Sequence, residues 1–342
     1  MKPRALAFLA LALRCVAQTP PPPQCTDCAT SPMLRFSCSQ LVIERLDPLV
    51  TPGLNPSPHL HQASNSLTTF NTTMDPSIDI PAESTCTSCT FTQVFYSKFV
   101  YFRARNGTFK RVPQKANLFL EGATGGQTVY YIPPYDGVTN VTAFKKGFRM
   151  TVGDPTARSD RKNAESRQTS YRCFGKDWEG GEGPPGGGND TRHFPKQPCL
   201  GGIRSNIFFP TCWDGVNLDS PDHKSHVSFP VNGSFERNSP CPVSHPVKLP
   251  QLFYEIMWDT EQFNDLSLWP EDGSQPFDYV FGWKGDSLQH AMDTRCSVNC
   301  PSLTTQTNIV ANECMQKVKV DEVVDGWLTE LPGGHAVTYV EE

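Results

Sequence analysis

Between Cys212 and His226 the chain reads Cys-Trp-Asp-Gly-Val-Asn-Leu-Asp-Ser-Pro-Asp-His-Lys-Ser-His, which gathers three acids and two imidazoles into one short stretch. Imidazole titrates near neutral pH and is the commonest metal ligand, and a neighbouring carboxylate can orient it through its second nitrogen. His223 and His226 converge only on a helical turn or tight loop; otherwise Asp222 makes a turn and His226 faces solvent. A second pair, His59-Leu60-His61, has the i, i+2 spacing that puts two side chains on one face of a strand. Together His59, His61, His223 and His226 supply enough donors for a divalent metal such as zinc or copper. A catalytic centre of that kind keeps a position open for water. The acids beside it are Asp214, Asp219 and Asp222, with Glu255 and Asp259 further along. Asp214, Asp222, His223 and Lys224 are the candidate catalytic residues. Paired carboxylates could also hydrolyse a glycosidic bond, one of them needing a raised pKa. Trp213, Trp258, Trp269, Trp283 and Tyr279 offer flat rings for a sugar surface, or belong to the core.

Other chemistries lose their signatures. There is no Gly-x-Ser-x-Gly elbow, phosphate-binding loop, dinucleotide fingerprint or His-Glu-x-x-His helix. The formal net charge of -5 gives no positive footprint for nucleic acid.

The elements that must position these residues are short. Over 342 residues the chain carries 31 prolines, 25 glycines and 13 cysteines, with 19% charged residues, an unsuitable composition for a reducing compartment. Lys2 and Arg4, an apolar run from Ala5 to Leu13, and Cys15-Val16-Ala17 predict a secretory signal peptide over residues 1–17. Its removal takes Cys15 with it and leaves an even number of cysteines, for which disulfides are expected, with connectivity open. Cys25-Thr-Asp-Cys28 and Cys86-Thr-Ser-Cys89 also have the spacing of a redox dithiol or half a zinc site, but no βαβ pattern surrounds them. Sequons at Asn71, Asn106, Asn140, Asn189 and Asn232 predict a surface-glycosylated extracellular protein. No later segment is apolar enough to span a membrane.

Residues 18–36, with prolines from Pro20 to Pro23, predict an extended tether. From there to residue 285, Tyr96 to Arg103, Gln127 to Ile132 and Ile207 to Phe209 are strand-like runs among Pro, Gly, Asn and Asp. They predict a mainly β, disulfide-bonded, loop-rich, β-sandwich-like core. The glycine-rich stretch after Trp178 predicts a surface loop, which a bridge between Cys173 and Cys199 would close. Residues 286–342 predict a partly helical appendage, with Asp286 capping one helix, a second over Asn308 to Lys319, and Cys296, Cys300 and Cys314 tying it down.

Several strings together resemble a family of fungal secreted proteins known as domain of unknown function nineteen ninety-six. They are Glu44-Arg-Leu-Asp-Pro48, His59-Leu-His61, Cys86-Thr-Ser-Cys89, Lys146-Gly-Phe-Arg-Met150, the run from Phe209 to His226, Cys241-Pro242 and His245-Pro-Val247. The resemblance covers about residues 37–285 and implies an extracellular or cell-wall protein; the family's name assigns no activity. Relatives often carry a carbohydrate-binding WSC module, which is not evident here. Three strings depart from the family pattern. Ala63-Ser-Asn65 replaces a glycine pair, Gln93 to Lys98 replaces a Ser-Asn-Tyr-Trp string, and Pro276 to Trp283 lacks a family histidine. The expectation is a secreted glycoprotein acting on or binding extracellular polysaccharide. The alternatives are a non-catalytic wall or glycan-binding protein, or an effector that binds a protein partner.

Overall fold

The computed structural model describes residues 33–334 except 65–84, 89–93, 154–167, 182–188, 234–237, 265–276 and positions 48, 135, 137, 196, 281 and 299. The expected signal peptide and nearly all of the tether lie outside the described residues, as do Asn71 and Trp269.

The protein is mainly β. One five-stranded antiparallel sheet runs β1 (Leu34–Cys38), β7 (Gln127–Ile132), β14 (Gln251–Trp258), β10 (Ile203–Phe208), β9 (Thr169–Cys173). Alternation along these strands sends Phe36, Val129, Tyr131, Leu252, Tyr254, Ile256, Trp258, Ile203 and Ile207 to one face, where all are buried in the main apolar cluster. The other face is divided between a second apolar cluster of Tyr130, Ile132, Phe208 and Phe253 and a buried polar network. Glu255 is paired with Arg204 at 3.1 Å and accepts from Asn117 and Tyr130, each at 2.7 Å. Beside it, Asn206 bonds Asp190 at 2.9 Å, and Asp190 pairs with Arg172. Buried charge is tolerable only when paired and hydrogen-bonded in this way.

A second five-stranded antiparallel sheet runs β2 (Val42–Glu44), β3 (His61–Ser64), β4 (Val94–Lys98), β15 (Phe277–Val280), β8 (Arg149–Val152). Met150, Val152 and Tyr279 of this sheet enter the same apolar cluster, and the Tyr279 ring lies 6.1 Å from Phe209. The layers therefore share a core, as expected of a sandwich-like fold. Two three-stranded sheets flank them. One runs β12 (Val227–Ser228), β11 (Cys212–Trp213), β13 (Val247–Lys248); the other runs β16 (Trp327–Leu328), β6 (Phe109–Arg111), β5 (Tyr101–Arg103).

Four disulfides are formed among the described residues: Cys38–Cys86, Cys173–Cys199, Cys212–Cys241 and Cys296–Cys300. The Cys173–Cys199 bridge closes the glycine-rich excursion. Cys296 and Cys300 bond each other rather than the core, so this bridge does not tie down the C-terminal segment. Backbone and side-chain bonds do: Glu44 Oε2 accepts from Lys319 and Val320 N–H at 2.6 and 3.1 Å, and Gln306 donates to Cys86 C=O at 2.6 Å. Helix is minor. α1 (Ser287–Asp293) buries Leu288, Ala291 and Met292, but Asp286 at its N-cap makes no side-chain cap bond. α2 covers only Asn308–Glu313 of the longer predicted helix and is capped by Thr307, which accepts from Val310 N–H.

Candidate functional site

The loop between β11 and β12 carries the histidine-rich motif and docks on the edge of β8. Arg149 N–H donates to Leu218 C=O at 3.0 Å and Thr151 N–H to His223 C=O at 2.9 Å, so the loop continues the second sheet by one irregular strand. Lys224 Nζ donates to Gly153 C=O at 2.8 Å and closes the same edge. Asp214 opens the loop as an Asx turn, its Oδ1 accepting from Val216 and Asn217 N–H at 2.8 and 2.9 Å. Gly215 follows with φ +83°, where a Cβ would also stand 3.0 Å from Val247 Cγ2. Asp222 caps the second half, accepting from Lys224 N–H, Ser225 N–H and the Ser225 hydroxyl at 3.1, 2.9 and 2.8 Å.

These bonds fix the charge states. Burial acts against ionisation of Asp214, but the bonds from Val216 and Asn217 outweigh it and hold the pKa below the ordinary carboxylate value. For Asp222 the Ser225 N–H is the largest cause, and with the Ser220 and Lys224 donors it keeps the group ionised far into acid. Both acids are therefore anchors of the turn, and neither has the raised proton affinity of a general acid.

His226 is buried. Its Nε2–H donates to Arg149 C=O at 2.7 Å, and Nδ1 lies 2.8 Å from the Ser220 hydroxyl, itself 2.7 Å from Asp222. Burial lowers its pKa, more than the Arg149 bond and nearby acids raise it, and favours the neutral ring. With both nitrogens committed, it fills no metal position as placed.

His223 differs. Its Nδ1 is 2.6 Å from Asp219 Oδ1, and the two side chains are 21% and 33% exposed. The backbone there is left-handed, φ +54°, a conformation that costs a non-glycine residue on the order of 1 kcal/mol and is common at functional sites. An imidazole aligned by a carboxylate at the surface is a proton acceptor or a directional hydrogen-bonding group for a ligand.

The two histidine pairs are not brought together. His61 lies on β3 with its Nε2 3.7 Å from Asp47 Oδ2, and its ring is 6.3 Å from that of His59. From β3 to the histidine-rich loop the path crosses β4, β15 and β8, four inter-strand steps or about 19 Å. The four histidines are thus placed as two separate pairs. No group of three or more His, Cys, Asp or Glu side chains that could hold a metal ion occurs among the described residues. The aromatic candidates Trp213, Trp258, Trp283 and Tyr279 are buried core rings, not a sugar surface. Glu255 belongs to the internal network of the first sheet, and Asp259 follows the end of β14.

Sequence reasoning names Asp219 only as one of several acids, although its i, i+4 spacing to His223 was the available signal. It misses Trp327, which is 57% exposed on β16.

The family model described as Domain of unknown function (DUF1996) matches residues 47–292. No curated protein and no solved structure matches the chain. Inside the matched span the motifs interlock around the loop. β11 pairs with both β12 and β13, and His245 Nε2 lies 3.0 Å from Ser225 C=O, so the run from Phe209 to His226 and the His245-Pro-Val247 string form one structural unit.

Proposed function

The chain belongs to the DUF1996 family, and from that premise we propose that it is a secreted glycoprotein that binds extracellular or cell-wall polysaccharide at the surface around His223 and Asp219 without cleaving it. The commitment of the loop's carboxylates carries this reading. Asp214 and Asp222 are consumed as acceptors of the loop's own N–H groups, whereas Asp219, which also accepts from Ser220 N–H at 2.8 Å, aligns the His223 ring in a partly exposed polar pair suited to sugar hydroxyls. Secretion is supported by the four disulfides. Glycosylation is supported by Asn106, Asn140, Asn189 and Asn232, all exposed. No helix among the described residues is long and apolar enough to cross a membrane.

Co-sedimentation with insoluble glucan and chitin, with released reducing ends assayed on the same samples, tests the proposal. The expected result is retention on at least one polymer without product, weakened about tenfold or more by His223→Ala and Asp219→Asn. Retention unchanged in both variants removes the site. Release of reducing ends that disappears in His223→Ala replaces binding with catalysis by the His223–Asp219 pair.

A further inference from the structure

The second sheet has another edge, and a cleft opens there. β2 is the strand farthest from the histidine-rich loop, five inter-strand steps or about 24 Å away. Arg45, immediately after β2, lines a cleft of about 590 Å³ whose remaining wall is the segment from Glu322 to Gly334. That volume lies within the range of small-ligand sites. Most of the wall falls beyond residue 292, outside the span that the family model matches.

We propose that this cleft binds a neutral oligosaccharide, with Trp327 as the platform for a sugar ring. The floor is rigid: Arg45 Nε pairs with Glu322 Oε2 at 2.6 Å, Arg45 Nη1 donates to Ser57 C=O at 3.0 Å, and Glu322 Oε1 accepts from Gly333 N–H at 2.8 Å. Trp327 is held by an edge contact with Phe102, ring centroids 6.2 Å apart, yet stays more than half exposed. An exposed indole beside the paired Glu322 carboxylate and Arg45 guanidinium, with Thr329 in the same wall, matches a ligand with an apolar C–H face and a rim of hydroxyls. Charge then selects among such ligands. Lys110 Nζ lies 5.6 Å from the Trp327 ring centroid and already holds the cation position, so a lysine-rich or quaternary ammonium ligand meets a like charge. Glu322 and Glu330 are matched by Arg45 and Lys110, so no net positive charge draws an acidic sugar. What remains is an uncharged polyol.

This inference does not depend on the histidine-rich loop binding anything. Titration calorimetry of the full chain with cellohexaose, laminarihexaose and chitohexaose, against hexagalacturonate and an arginine-rich peptide, tests it. We expect saturable binding of at least one neutral hexasaccharide, weakened about tenfold or more by Trp327→Ala, within about threefold of wild type in Trp327→Phe, and unchanged in His223→Ala. The same sugar should protect Trp327 of the unmodified protein from oxidation by N-bromosuccinimide, read by peptide mass spectrometry, which requires no variant to fold. No binding of any neutral hexasaccharide, tighter binding of the galacturonate or the peptide, or Trp327 oxidation unaffected by the sugar overturns the proposal.

Discussion

His226 and Asp222 share the Ser220 hydroxyl between them, and this small unit makes the loop sensitive to acid. The folded pKa of His226 lies below its ordinary 6.5, so as pH falls the unfolded chain takes up the proton first. Stability is then full above about pH 6.5 and declines as pH drops toward the folded pKa. The Asp222 pKa is likewise depressed, and its contribution is present above its ordinary 3.8 and lost only in stronger acid. Melting temperature followed against pH should therefore fall in two stages. His226→Gln, which keeps an N–H for Arg149 C=O but cannot titrate, should lack the first. Asp222→Asn should flatten the second and lower stability at neutral pH by about 1–3 kcal/mol, the cost of weakening several acceptor bonds. A single-stage profile in the wild type would refute the assignment of the upper stage to His226.

The strands differ in how much of them the sequence discloses. Gln127 to Ile132 is rich in aromatic and β-branched residues and forms β7 over those same residues. Tyr96 to Arg103 predicts one strand but is two, β4 and β5, because the chain leaves one sheet at Phe99 and Val100 and enters another. Such a switch depends on partners far away in the chain and has no local signal. The site follows the same rule. An Asp-x-x-x-His spacing is visible, but that the pair closes at the surface depends on a left-handed turn at His223, and that His226 is sealed depends on Arg149, 77 residues earlier. The segment that carries Trp327 is held at the sheet edge in part by Glu44, 275 residues before Lys319. Glu44→Ala should therefore release residues 314–334 to limited proteolysis while the core melts cooperatively near its original temperature. Equal protease resistance in variant and wild type would show that the remaining bonds hold the segment.

On the scale of the whole molecule, covalent cross-links and buried ion pairs complement a shared apolar core. The Cys212–Cys241 bridge lies at the base of the histidine-rich loop and spans 29 residues. By the chain-entropy account a closure of that length contributes about 3–4 kcal/mol. Replacing both cysteines with alanine should lower stability by that order in denaturant unfolding, and by more if the β11–β12–β13 unit loosens. A change below about 1 kcal/mol would mean that hydrogen bonding alone sets the loop.

The Cys173–Cys199 bridge has a different consequence. It makes the intervening segment a covalent ring whose far side is fastened at Asp190 to Arg172. A peptide bond cut inside this ring produces two chains that still migrate as one until a reductant is added. The ring is therefore a place where a protease site, an affinity tag or new chain termini could be introduced without parting the two halves of the molecule.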